Sequence, residues 1–218
     1  MKIEILNYTH NPLTVIGTNA SYCYNTKLKD DKHASRIAKS CIKDGHGRNM
    51  EFANVTLHIS NVSARMMREF GRHIIGTSYV QASTRYITYD NFSYFTPKGM
   101  TSEQQTVYED CMKQISDSYR KLKELNTEND ITGYILPLSM NTEVVFQINI
   151  RALEHLFNMR LCNRALLEFR DFCKQLKKQL SELDEEWKWI SDNCFVPKCV
   201  SLGYCNEGRG CGLYPKRE

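Results

Sequence analysis

No stretch of this 218-residue chain approaches the ~18–20 consecutive apolar residues that a membrane-spanning helix needs. The opening Met1-Lys2-Ile3-Glu4 also lacks the charged-then-apolar layout of an export signal. A soluble, cytoplasmic protein is the expectation. An excess of one charge sign is missing too: 29 Lys+Arg face 25 Asp+Glu, a net +4. That balance is too even for a nucleic-acid coat or a polybasic membrane patch, so neither nucleic acid nor membrane is an expected partner and any anion site must be local. With 5 Pro and 11 Gly the chain is neither collagen-like nor a linker. It contains no internal repeat, no low-complexity segment and no convincing nucleophile–base–orienter triad. Nine cysteines are present, but the number is odd and four fall in the last 25 residues, so reduced thiols are expected rather than a disulfide framework.

What is there is 41% hydrophobic and 25% charged, enough for one sizeable core. Ile3 and Ile5 suggest a short strand, and Asn11-Pro12 a turn. Ile37, Ala38, Cys41 and Ile42 recur at helical spacing within Asp30–Lys43, with Gly45 as the C-cap. Gly45 to Arg48 reads as a flexible connection. Val55, Leu57 and Ile59 alternate with Thr56, His58 and Ser60, as in a half-buried strand. Ser63 then caps a helix to about His73, with Arg65, Arg68 and Arg72 on one face and Met66, Met67 and Phe70 on the other. A solvated surface is the plain reading of such a stripe, but it leads into a short polar loop, Ser78 to Arg85, whose hydroxyls, amide and further arginine suit a phosphate and a planar polar ring.

Downstream, Thr101 or Ser102 opens a helix with Val107, Cys111, Ile115, Tyr119, Leu122 and Leu125 on a core stripe. Another helix is expected from about Thr142, placing Val145, Ile148, Ala152, Leu156 and Met159 on one face, Asn149 and Arg151 at its margins, and His155 in the apolar sector. A heptad-like run from Leu166 to Ile190 predicts one long helix, packed on its own core or serving a subunit contact. Cys194, Cys199, Cys205 and Cys211 are spaced by four, five and five residues. These are not the usual zinc-knuckle spacings, which leaves either a structural zinc or a reduced, packed tail.

Several of these segments together resemble the flavin-dependent thymidylate synthases. Arg72-His73, followed by Ser78-Tyr79-Val80-Gln81-Ala82-Ser83-Thr84-Arg85-Tyr86, is similar to the family signature RHRxxSxxxxSxRY. Gly45-His46-Gly47-Arg48-Asn49-Met50-Glu51-Phe52 resembles its GHxSxxEH segment. Tyr134 to Leu138, Thr142-Glu143, and Asn149-Ile150-Arg151-Ala152 resemble its VLPL…T…NAR segment, which Arg160 to Ala165 and Glu168 continue. The resemblance covers about residues 14 to 170 and implies an α+β fold, a central, mostly antiparallel sheet packed with long helices. A catalytic domain over 1–190 and a Cys-rich tail over 191–218 follow.

The activity implied is reductive methylation of dUMP to dTMP, with methylenetetrahydrofolate as carbon donor and NADPH-reduced FAD as hydride source, in a homotetramer whose active sites are shared between subunits. On this resemblance Arg85 would bind the nucleotide phosphate, and Gln81, Ser83 and Thr84 would lie along the nucleotide. Ser83 would act by hydrogen bonding beside the uracil, and Arg160 would meet the ring and stabilise charge developing on it; these two are the catalytic candidates. Glu69 and Arg72 complete the dUMP set, while Arg72, His73, Asn149, Arg151 and His155 would contact FAD. No metal is implied. Three residues depart from the pattern: Ile74 removes the third residue of RHR, Phe52 replaces the His of EH, and Gly133 stands where many members have an arginine. Phe52 and Ile74 leave open a related enzyme making another C5-modified nucleotide such as hydroxymethyl-dUMP, and the Arg65, Arg68 and Arg72 stripe leaves a non-catalytic nucleotide- or nucleic-acid-binding protein, the nucleic-acid version opposed by the even charge balance.

Overall fold

Alternating burial builds the sheet. In the computed structural model, which describes residues 1–217, strand β1 spans Lys2–Tyr8 and strand β2 Asn54–Ser63. Val55, Leu57 and Ile59 of β2 are buried, while Thr56, His58 and Ser60 remain partly exposed. With β3 (Thr77–Gln81) and β4 (Asn141–Asn149) these strands form an antiparallel sheet in the order β1-β2-β4-β3. The α+β expectation holds.

Strand β4 corrects the helix expected from Thr142. Its buried residues are Thr142, Val144, Phe146 and Ile148, a period of two, whereas Val145 is exposed. The helix, α6 in chain order, covers only Ile150–Arg160, and Asn149 caps it by accepting from the Ala152 N–H at 2.9 Å. The segment read as a polar loop after Thr77 is likewise a strand as far as Gln81.

The helices follow local signals more closely. Asn11-Pro12 starts α1 (Pro12–Cys23) instead of a turn, because proline fits the first helical turn, where no N–H is required. Helix α2 (Asp31–Lys43) opens on Asp30, whose carboxylate accepts from His33 N–H. Gly45 follows, donating to the Ile42 carbonyl at 3.1 Å, and the connection expected to be flexible winds into a 3₁₀ helix over Gly47–Phe52. Ser63 caps α3 (Ala64–Phe70) through Met66 N–H at 3.0 Å, but the helix stops before Gly71, leaving Arg72 and His73 beyond its end.

Helix α4 (Ser102–Glu124) begins with a reciprocal capping box between Thr101 and Gln104. The expected stripe holds at Ile115 and Tyr119 and fails at its two ends. Met112 and Tyr119 are buried, and Tyr108 and Ile115 pack at the cluster of Phe92, Met112 and Met140, while Val107, Cys111 and Leu125 face solvent. After the short α5 (Asn129–Thr132) and the β4–α6 unit come α7 (Leu167–Ser181), α8 (Glu185–Asn193) and α9 (Lys198–Leu202). The long helix expected from Leu166 to Ile190 is therefore two helices. Asp184 breaks it by accepting from the N–H groups of Glu186 and Trp187 at 2.9 and 2.8 Å, which starts α8 anew. Phe169, Cys173, Leu176, Leu180, Trp187 and Ile190 are each at 0% exposure, so that stripe is consumed by this chain's own core and offers no subunit contact.

The described chain divides into two compact units whose boundaries fall within strands, except the one between Arg72 and His73. One comprises Met1–Lys2, His58–Arg72 and Tyr79–Val145; the other comprises Ile3–Leu57, His73–Ser78 and the residues from Phe146 on. Within the second, α1 and α2 meet at Gly17, where a Cβ would overlap the carbonyl oxygen of Ala34. Backbone against backbone leaves no side chain to yield. Gly17→Ala is expected to destabilise the fold by about 1–3 kcal/mol or more, as overpacking does. Gly208→Ala, with nothing within 4 Å of the added carbon, is the neutral control. Urea unfolding followed by circular dichroism checks the pair.

Candidate active site

The expected site residues fall into two clusters, one in each unit. In the unit containing α3 and α4, Ala82 closes the strand ladder by donating to the Glu143 carbonyl at 3.0 Å. The chain then turns through Ser83 to Tyr86, with Tyr86 and Ile87 N–H both donating to the Ser83 carbonyl. The Ser83 hydroxyl accepts from Arg85 N–H at 3.3 Å, so it buttresses this turn. Arg85 extends from the turn as a fork, its Nε and Nη2 donating to the two carboxylate oxygens of Asp130 at 2.8 and 3.3 Å. The guanidinium holds the Asp130 carboxyl below the usual carboxylate range.

Both partners of that pair are more than half exposed, so it adds little stability. Its significance is geometric, because a planar carboxylate occupies the arginine face that would receive a phosphate. Thr84 explains the Gly133 departure: a Cβ at 133 would come within 3.3 Å of the Thr84 hydroxyl, so a larger residue there requires Thr84 to move. Gln81 is exposed on the last position of β3. Glu69 pairs with Arg72 at 3.6 Å, and Arg72 projects into solvent at 72% side-chain exposure. On the same unit His58 Nε2 lies 2.9 Å from a Glu143 carboxylate oxygen.

The second cluster gathers around the end of α6. Arg160 Nε donates to His73 Nε2 at 3.0 Å, which makes His73 an acceptor there and puts its proton on Nδ1. The Arg160 guanidinium lies 5.0 Å from the centre of the Phe169 ring, a cation–π distance. His73, 9% exposed, meets both Phe169 and His155 edge-on at 6.0 Å. His155 itself is exposed, a correction to its expected place in the apolar sector, which Leu153, Leu156 and Phe157 fill. Arg72 and His73, expected as one flavin-contacting pair, are thus unlike neighbours: the arginine is exposed and the imidazole buried.

At the start of α6, Asn149 spends its Oδ1 on the cap and retains its Nδ2 as a donor. Arg151 Nη1 donates to Glu51 at 2.5 Å with half its side chain exposed. Burial pushes the Glu154 carboxyl up, an effect that the charge of Arg151 opposes. The structure brings together Ser83, Thr84 and Arg85 in one turn, Glu69 with Arg72, and His73 with Arg160 and His155. Two partners carry no recognisable sequence signal, since Asp130 sits in a polar connector and Phe169 reads as core, while Glu51 lies in the segment resembling GHxSxxEH but had no assigned role.

A bidentate arginine on a tight turn and, separately, an arginine–histidine cluster are groups able to receive anions, carried on an α+β fold. Residues 4–184 match the family model described as "Thymidylate synthase complementing protein", and the chain belongs to that family. A flavin-dependent thymidylate synthase of Geobacter sulfurreducens is 30% identical over 95% of this chain and 92% of its own. Another from Nitratidesulfovibrio vulgaris is 28% identical over 100% and 96%. The fold is shared with flavin-dependent thymidylate synthase from Helicobacter pylori, solved with FAD and dUMP, at a TM-score of 0.73 and 23% identity over 89% of this chain and 100% of that one.

Gly76, at φ 71°, carries the link between His73 and β3, its carbonyl accepting from Asn149 N–H at 3.0 Å. A Cβ there would overlap the Asn149 amide. Gly76→Ala is expected to cost about 1–2 kcal/mol for the left-handed backbone alone, and more once the α6 cap is displaced. Thermal unfolding measures the loss, and an unchanged midpoint would contradict the packing described.

Proposed function

We infer that this chain is a flavin-dependent thymidylate synthase, converting dUMP to dTMP. The observation that carries the reading is the Ser83–Arg85 turn with its bidentate guanidinium, set within a family match spanning residues 4–184. Arg85 would exchange Asp130 for the nucleotide phosphate, an exchange of one planar or tetrahedral oxyanion for another. Gln81, Ser83, Thr84, Glu69 and Arg72 would line the nucleotide. Arg160, its guanidinium oriented by His73 and Phe169, would stabilise negative charge as it develops on the uracil ring. Ser83 would hydrogen-bond beside the ring without acting as a nucleophile.

The donor set near α6 fits a dinucleotide cofactor: a half-exposed arginine for a diphosphate, an amide donor and an exposed imidazole. Arg72, His73, Asn149, Arg151 and His155 would hold FAD. When bound and reduced by NADPH, FAD supplies the hydride that completes the methyl group. Methylenetetrahydrofolate supplies the carbon that replaces the C5 proton. We further propose a homotetramer whose active sites draw residues from several subunits, a cytoplasmic location, residues 1–190 as the catalytic domain and 191–218 as a separate tail. The family match ends at residue 184, short of that tail. No helix among the described residues is long and apolar enough to cross a membrane.

Phe52 and Ile74 keep a second product in view. Both are exposed apolar side chains, at 60% and 71%, where a histidine and a cation stand in the family pattern. Incubation of the protein with dUMP, methylenetetrahydrofolate, FAD and NADPH, followed by mass analysis of the nucleotide, is expected to yield dTMP. Hydroxymethyl-dUMP would replace this reading with the related C5-modifying activity. Failure to bind flavin, with NADPH oxidation indifferent to dUMP, would leave a non-catalytic nucleotide-binding protein.

A further inference from the structure

The cysteine-rich tail is not a loose appendage. A cavity of about 260 Å³ lies between the turn after α6 and the tail, and Cys162, Cys199, Cys205 and Cys211 all line it. Cys162 comes from the turn, only two residues beyond Arg160. Cys194, which tail spacing alone would include, is absent from the lining. It is 2% exposed in the core, and burial, aided by the charge of Glu154, pushes its thiol up to about 12. The thiol set is therefore three tail cysteines and one distant in sequence.

Polar contacts fix the tail against this turn. Arg164 Nη1 donates to Glu207 at 2.7 Å, and Asn163 Nδ2 donates to the Cys211 sulfur at 3.6 Å. Cys205 N–H donates to the Pro215 carbonyl at 2.7 Å, and Cys205 forms a parallel bridge with Lys216. Gly210 passes so near Cys205 that a Cβ on it would sit 3.4 Å from the sulfur. The Asn163 amide aimed at the Cys211 sulfur, with Arg164 and Lys198 in the same lining, suits a negatively charged thiolate centre. Among the described residues no three potential ligands are drawn together tightly enough to hold an ion as they stand, so an ion would pull these side chains inward.

We propose that Cys162, Cys199, Cys205 and Cys211 form a four-thiolate site for one zinc ion, which clamps the tail to the turn following Arg160. Four sulfur donors select zinc over hard divalent cations, and a closed set of four protein ligands makes the site structural rather than catalytic. Free thiols are a prerequisite, and all nine cysteines are unpaired in the structure.

The test uses the full-length protein, expressed with zinc, dialysed and analysed for metal. One zinc per chain is expected. Exchange for cobalt(II) should give sulfur-to-cobalt charge-transfer absorption and the intense d–d bands of a tetrahedral thiolate site. Cys162→Ser and Cys205→Ser should each lose both signals, while Cys194→Ala keeps them, with circular dichroism confirming that each variant is folded. The proposal is overturned if the wild-type chain holds no stoichiometric zinc and gives no cobalt spectrum, or if iron is found in its place. Zinc retained by folded Cys162→Ser, or a disulfide joining two of the four thiols in the wild-type chain, overturns it equally.

Discussion

A guanidinium partly withdrawn from water must find acceptors and polarisable surface, and Arg160 finds them in His73 and Phe169. The hydrogen bond and the ring contact together join the end of α6, the first turn of α7 and the segment leading into β3. The hydrogen bond also fixes His73 as a neutral imidazole with its accepting nitrogen turned to the arginine. The orientation of Arg160 is thereby set by this chain's own residues, as its proposed stabilisation of charge on the uracil ring would require. Gly76, which lets the chain leave His73 and meet the α6 cap, and the Cys162 turn just past Arg160 are both arranged around this contact.

The second organising feature is the separation of roles among cations. Arg85 is presented by a tight turn, with a carboxylate holding its fork, while Arg151 stands at the first turn of α6 beside Glu51. Each is paired at the surface with an acid, an arrangement that adds little stability but keeps a flexible side chain in one region of space. The net charge of +4 follows from this. Small anionic substrates and a dinucleotide need a few positioned arginines, each balanced locally, and no broad basic face.

How much of this was legible in the sequence depended on the range of the interaction. Strand β2 was plain because Val55, Leu57 and Ile59 alternate with polar residues, and the caps at Ser63, Thr101 and Asp30 are local chemistry. Strand β4 was misread because Val145, Ile148 and Ala152 mimic a helical spacing across a strand–helix junction. The deciding residues were Val144 and Phe146, which only burial separates from Val145. The break at Asp184 was hidden because the heptad continues on both sides of it. In the site, the turn residues Ser83 to Arg85 and the segment holding Glu51 stood out as motifs, whereas Asp130 and Phe169 acquire meaning only from pairings across 45 and nine positions of chain. Cys162 was invisible as a tail partner for the same reason.

Binding calorimetry on two variants tests the division of labour most directly. Arg85 and Arg151 are exposed enough to be replaced without opening a cavity, and a charge-assisted hydrogen bond contributes about 1.5–3 kcal/mol, or roughly tenfold and more in affinity. Arg85→Ala should weaken dUMP binding by that factor and leave FAD binding nearly unchanged, while Arg151→Ala should do the reverse. Equal loss of both ligands in each folded variant would contradict the account.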